Sequence, residues 1–342
     1  MRSALDEKLM HQIAIFGAGR IGSVHAANIA AHSKCSLAAI VDPDLDAANR
    51  LAGAYGAEVR SADSIFGDTD IEAVLIASAT GTHADLIEAA ARAGKQIFCE
   101  KPVDLSVPRV KDCLAAVETA GVRMMVGFNR RFDPDFVELR KRIRAGEIGA
   151  LELLTIISKD PVPPPLKIAE VSGGLFRDMT IHDFDMVRFL MGEEPIAVSV
   201  TASCQIDSAI GALSDVDTAV VSLRSADGKL AVIVNSRRAT YGYDQRIEAH
   251  GSKGMLSVGN RVESRLVRAD ADGITGSKPL YFFLERYALA YRAELDCFLE
   301  MLDGVTMQAP NGMDGLAALV LAEAAVESLA TGREVELDSS NY

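Results

Sequence analysis

The chain has 342 residues, 49% hydrophobic and 24% charged, and its 48 acidic against 35 basic side chains leave a formal net charge of −13. The length predicts two domains, and so much apolar material excludes general disorder. A negative balance without a Lys/Arg block excludes nucleic-acid and membrane-surface partners, because affinity for either rests largely on neutralising phosphate charge.

In chain order, Gln12 to Phe16 predicts a strand, Ile21 to Ala31 a helix, Leu37 to Val41 a strand, Leu45 to Ala54 a helix and Ile71 to Ala77 a strand. Ala84 to Ala93 then predicts a helix, Gln96 to Cys99 a strand, Val107 to Ala120 a helix and Arg123 to Gly127 a strand. Strands alternating with helices pair in parallel through right-handed crossovers, which gives an α/β fold with a doubly wound Rossmann sheet over residues 1–130. The texture then changes. Leu151 to Ser158, Ala197 to Gln205, Thr218 to Leu223, Leu230 to Ser236 and Arg246 to His250 predict strands, two of them joined by the turn Ala226-Asp227-Gly228. Residues 131–342 are therefore expected to form an α+β domain on a large mixed or antiparallel sheet, with a helix over Phe176 to Met191. Helical patterns return at Tyr287 to Leu302 and Leu316 to Ala330, and the helix over 315–331 is placed to pack back on the first domain.

Five cysteines (Cys35, Cys99, Cys113, Cys204, Cys297) show no Cys-x-x-Cys spacing and are odd in number, which reads as reduced thiols in a cytoplasmic protein. Met1 to Met10 has mixed charges and no apolar stretch, so no secretory leader is expected. Glu323 and Glu327 interrupt the longest apolar tract, so no membrane span is expected.

Gly17-Ala18-Gly19-Arg20-Ile21-Gly22 follows the first predicted strand and opens the first predicted helix. There the glycines permit a tight turn, close backbone approach to a pyrophosphate and close helix-sheet packing. Asp42 ends the second strand, where an acid binds ribose hydroxyls, and Pro43 rather than a cation follows it; a 2′-phosphate would meet an uncompensated carboxylate, so NAD is expected over NADP.

Glu100-Lys101-Pro102 stands at the carboxyl end of a predicted parallel strand, where open α/β sheets place ligands, although solvated loops also look like this. Asp178 and His182 share one face of a helix, as either a surface ion pair or two groups on one ligand. No second His or Cys stands at ligand spacing, so no metal is expected.

Gly17 to His25, Glu100-Lys101-Pro102, Gly127-Phe128-Asn129-Arg130-Arg131-Phe132-Asp133 and the Gly-Gly-x-x-x-Asp-x-x-x-His-Asp-x-Asp run from Gly173 to Asp185 together resemble the glucose-fructose oxidoreductase and inositol dehydrogenase (Gfo/Idh/MocA) family. The resemblance spans nearly the whole chain and is closest to the inositol-oxidising branch. It implies NAD-dependent oxidation of myo-inositol to the 2-keto product, in inositol catabolism. Lys101, Asp178 and His182 match the catalytic positions; Gly17, Gly19, Arg20, Ile21, Gly22, Asp42, Ser78, Thr80, His83 and Glu100 match the cofactor side. Arg130, Asp160 and Tyr243 fall where the branch contacts substrate hydroxyls, Asp160 standing where one branch has Asn. The resemblance further implies a homotetramer or homodimer formed through the open face of the second sheet.

On chemical grounds His182 would act as general base, Lys101 would stabilise the developing alkoxide, and Asp178 would orient the imidazole or accept a bond from substrate. With few cations beyond Lys101 and Arg130 to hold a phosphate, a neutral polyol is the expected small-molecule partner. Another inositol isomer or an aldose is the alternative substrate. A non-catalytic dinucleotide-binding regulator is the alternative class, but it has no use for a base and an alkoxide-stabilising cation together.

Overall fold

The computed structural model describes residues 10–305 and 308–338; the reading of the amino terminus up to Leu9 lies outside them. The chain divides into two compact units, one running to Asn129 and taking in Tyr291–Leu316, the other made of Arg130–Ala290 and the chain from Ala317 on.

In the first unit the order is β1 (His11–Phe16), α1 (Arg20–Ala31), β2 (Cys35–Val41), α2 (Leu45–Tyr55), β3 (Glu58–Val59), α3 (Ala62–Phe66), β4 (Ala73–Ile76), α4 (His83–Arg92), β5 (Gln96–Glu100), α5 (Val107–Ala120) and β6 (Met124–Gly127). The six strands form one sheet in the order β3-β2-β1-β4-β5-β6, every pair parallel. Successive residues of β4 and β6 are all buried, the pattern of a sheet covered on both faces. The strand order reverses beside β1, which opens the crevice where such sheets bind ligands at their carboxyl ends. Local signals agree with this path. Asp44 caps α2 by accepting from Ala47 N–H, and Ser106 caps α5 with Pro108 in its first turn.

The second unit holds α6 (Pro134–Arg144), β7 (Leu151–Lys159), α7 (Leu166–Ala169), α8 (Ile181–Met191), β8 (Pro195–Ser203), α9 (Ser208–Ala212), β9 (Thr218–Ser225), β10 (Leu230–Ser236), β11 (Asp244–Gly251), β12 (Gly254–Val258), β13 (Val267–Asp270), β14 (Gly273–Gly276) and α10 (Phe283–Arg286). α11 (Ala288–Leu302) and α12 (Gly312–Thr331) follow, then β15 (Val335–Glu336). Its seven-stranded sheet runs β12-β11-β7-β10-β9-β8-β15, mixed because β7 and β10 pair in parallel while their other neighbours are antiparallel. β9 and β10 form the hairpin expected around Asp227-Gly228.

That single parallel pairing has a positional consequence. Its register matches Lys159 with Ser236, while β11 begins with Asp244 opposite Lys159. The residues after β7, those after β10 and those before β11 thus meet at one edge. Alternation along β10 turns Ala231 and Ile233 into the core and leaves Leu230 and Val232 on the other face, with Val220 of β9 also exposed there.

The structure departs from the expected elements at several points, and adds the short β3, α3, α7, α9, β13, β14 and β15 to them. Phe176 to Met191 is not one α-helix, because Phe176–Thr180 forms a wide π-turn before α8. α6 and β12 went unread, although Asp133 caps α6 by accepting from the N–H groups of Asp135 and Phe136. No described helix is long and apolar enough to cross a membrane. All five cysteines are free, and burial pushes the Cys35 and Cys113 thiols up to about 12, far from reactive thiolates.

Candidate active site

The glycine-rich turn joins β1 to α1, and each of its glycines answers a different constraint. Gly17 has φ +111°, and a Cβ there would lie 2.5 Å from Ala77 O; one on Gly22 would lie 1.9 Å from Gly17 O. Those two positions are closed by the protein's own backbone. Gly19 is the opposite case, since a Cβ would meet nothing within 4 Å. It stands at the N-cap of α1, followed by Arg20 and Ile21, where the backbone N–H groups of the first turn and the helix dipole favour phosphate, so the turn fits a dinucleotide. Asp42 is fixed by accepting from Ala18 N–H at 2.6 Å and Asp44 N–H at 2.8 Å, which ties the end of β2 to the turn.

Gly19→Ala is therefore expected to fold normally yet weaken NAD binding about tenfold, or ~1.4 kcal/mol. Calorimetric titration beside a thermal melt checks this, and wild-type affinity would remove the phosphate role from this turn.

Beyond β4, the Ser78 and Thr82 hydroxyls are 2.7 Å apart, and Thr80 opens the short turn Thr80–Thr82. His83 is 2% exposed, its Nδ1 2.8 Å from Pro102 O and its Nε2 3.0 Å from Ser78 O. Burial holds this imidazole below its ordinary value against the pull of those two carbonyls, one on the loop after β4 and one on the loop after β5. Lys101, half-buried, leaves β5 next to Glu100, whose Oε1 is 2.7 Å from His25 Nε2.

The second unit assembles its candidates at the edge created by the β7–β10 register. Arg130, 3% exposed, donates to Asp183, to Ser158 Oγ at 3.2 Å and to the Tyr243 hydroxyl at 3.3 Å. Asp183 also accepts from Asn235 Nδ2 at 2.9 Å, and Asn235 Oδ1 accepts from Thr180 Oγ1 at 2.6 Å. Burial pushes the Tyr243 phenol well above its usual range, so it keeps its proton.

Arg237 was not singled out from sequence. It is 4% exposed, and donates to Asp160 Oδ2 at 3.3 Å and to Asp178 Oδ2 at 3.0 Å. One guanidinium thereby aligns the carboxylate after β7 with the carboxylate of the π-turn, as its rigid fork allows. Burial raises the Asp160 carboxyl, with Arg237 pulling it back toward the ionised form. Asp178 and His182 are half-buried on successive turns, with the wide turn ending between them; such turns occur often at functional sites.

Comparisons with known proteins identify the family. Residues 11–128 match the oxidoreductase family with an NAD-binding Rossmann fold, and residues 136–257 match the GFO/IDH/MocA C-terminal domain. The chain is 52% identical to an inositol 2-dehydrogenase of Rhizobium meliloti over 94% of its own length and 98% of the relative. A myo-inositol dehydrogenase structure from Corynebacterium glutamicum superposes with TM-score 0.92 at 46% identity, covering 96% of this chain and 99% of the other. A scyllo-inositol dehydrogenase from Lactobacillus casei with bound NAD(H) and scyllo-inositol matches with TM-score 0.88 at 28% identity, covering 96% and 99%. By its two family domains and by relatives matched along almost its full length, the chain belongs to the GFO/IDH/MocA oxidoreductase family and is an NAD-dependent dehydrogenase.

Proposed function

We propose that the protein oxidises myo-inositol with NAD to the 2-keto inositol, as a step of inositol catabolism. The observation that carries this reading is the β7–β10–β11 edge. Arg130 and Arg237 are each paired there with carboxylates, which suits a neutral polyol better than a phosphorylated sugar. The kinship with inositol 2-dehydrogenases supports the same substrate.

In this reading residues 1–130 hold the cofactor and residues 131–342 bind substrate and mediate assembly. Gly17, Gly19, Arg20, Ile21 and Gly22 cradle the phosphates, Asp42 takes the ribose hydroxyls, Ser78, Thr80, His83 and Glu100 line the cofactor's path, and the nicotinamide, when bound, accepts the hydride. The protein's own work is placement and charge. His182 takes the proton of the reacting hydroxyl, because an imidazole is a competent base near neutral pH. Lys101 stabilises the negative charge that builds on the oxygen. Asp178, held by Arg237, accepts a hydrogen bond from substrate, while Asp160, Arg130 and Tyr243 fix the other hydroxyls.

A panel of myo-inositol, other inositols, glucose and xylose, each with NAD and NADP, tests the reading by kcat/KM. Myo-inositol with NAD is expected to lead. A higher value for an aldose would replace the substrate assignment, and no turnover on any polyol would end it. Assembly into a homotetramer through the outward face of the second sheet, where Leu230, Val232 and Val220 lie, belongs to the same proposal. Light scattering on the purified protein reads the mass, and a monomer would remove that part.

A further inference from the structure

One cluster of buried ionisable groups contains two members, His25 and Glu294, that the mechanism does not use. His25 of α1, Glu100 at the end of β5 and Glu294 of α11 each offer one atom to a group lying within 4.8 Å of one another. His25 is 1% exposed, its ring held edge-on by Phe98 at 5.1 Å and Tyr291 at 5.7 Å, and its Nε2 stands 2.7 Å from Glu100 Oε1. On the other side of Glu100, β6 presents Gly127, where a Cβ would come within 2.9 Å of the Glu100 carboxylate. Glu294 is 0% exposed, and neither of its carboxylate oxygens has a hydrogen-bond partner among the described residues.

An ionised carboxylate there, facing Glu100 and unbonded, would be strongly disfavoured. Burial first and the Glu100 charge second push the Glu294 carboxyl well above its ordinary range, so it is carried as the neutral acid. A neutral acid has one O–H to give, and the polar atoms of the cluster available to it are those of Glu100 and His25. The terminal torsion of a glutamate is soft, so the acid is able to turn its O–H toward them.

We propose that Glu294 is a positioning residue for the dehydrogenase: together with His25, it holds the Glu100 carboxylate and so fixes the turn that carries Lys101. The three groups come from a helix that follows the glycine-rich turn, from the strand that delivers Lys101, and from a helix distant in sequence that packs within the same unit. The clamp gives a buried acid a role that core packing alone would not need, since an apolar side chain would fill the space more cheaply. The inference rests on the role given to Lys101.

Glu294→Leu keeps the volume and removes the donor. It is expected to melt no lower than wild type, yet to lose about tenfold in kcat with a much smaller change in NAD affinity, because loosening the turn misplaces Lys101. Glu294→Gln, which keeps a neutral donor, is expected to recover most of that loss. The infrared difference between wild type and Glu294→Gln should contain a protonated carboxyl band at neutral pH. Wild-type kcat in Glu294→Leu, failure of Glu294→Gln to recover turnover, absence of the band, or one equivalent of divalent metal retained through gel filtration would each overturn the clamp. Lys101→Met, measured in parallel, separates the two readings. Full turnover in that variant removes the lysine's role, whereas an inactive Lys101→Met beside a fully active Glu294→Leu removes the clamp alone.

Discussion

Replacing Lys101 with methionine is expected to lower kcat for polyol oxidation about a hundred- to a thousandfold, the usual cost of losing one preorganised charge that stabilises a developing oxyanion. Methionine keeps most of the stem, and Lys101 is only half-buried, so folding should survive. NAD should still bind, because the phosphate turn and Asp42 lie on β1, α1 and β2. His182→Ala is expected to cost about a hundred- to ten-thousandfold through the lost proton acceptor. It should also erase the acid limb of the pH profile, since a base works only when unprotonated. Stopped-flow absorbance of reduced nicotinamide reads both variants. If both turned over at the wild-type rate, the proposed chemistry would be wrong even though the family assignment would stand.

The second large effect concerns stability. Asp183 is fully enclosed and is the carboxylate that Arg130, 3% exposed, donates to. A guanidinium cannot shed its charge. Asp183→Ala would leave it, among the described residues, the hydroxyls of Ser158 and Tyr243 and the Tyr287 ring but no carboxylate bonded to it, and would strip Asn235 Nδ2 of an acceptor. Breaking one side of such a buried pair costs about 3–5 kcal/mol, which should appear as a lower urea midpoint. The pair Asp183→Leu with Arg130→Met, which removes both charges, is expected to regain most of that stability while substrate turnover stays lost. A single Asp183→Ala variant as stable as wild type would show that the buried charge has another counterweight.

Much of the first unit could be read from the chain because its signals are local. A strand, a glycine-rich turn and a helix follow one another within the span His11–Ala31, and Asp42 directly follows the next strand. The helix over Val107–Ala120 was legible because Ser106 and Gly121 mark its two ends. Arg237 was not legible, for a physical reason. Its two acids lie 77 and 59 residues away, and they reach it only through the parallel register of β7 with β10 and through the π-turn. Neither leaves a periodic trace in sequence. Glu294 was hidden in another way, since in α11 it reads as an ordinary charged residue among apolar ones, and nothing local reveals complete burial. The π-turn itself escaped because one extra residue in a helix leaves the surrounding apolar pattern intact.

The β7–β10 pairing also bears on how substrate preference diversifies. The register of paired residues ends at Lys159 and Ser236, and just beyond it the backbone N–H of Asp160 donates to Ser236 O at 2.9 Å and that of Arg237 to Asp217 O at 2.8 Å. A change of either side chain leaves those backbone bonds in place, so what an exchange of Asp160 or Arg237 puts at stake is the buried ion pair between them and, with it, the proposed recognition of hydroxyls. The two positions are not free of each other, because the guanidinium and the carboxylate are partners. Among relatives they should change as a couple. A chain with an amide in place of Asp160 should seldom keep the arginine, and the inositol isomers it accepts should shift with the exchange.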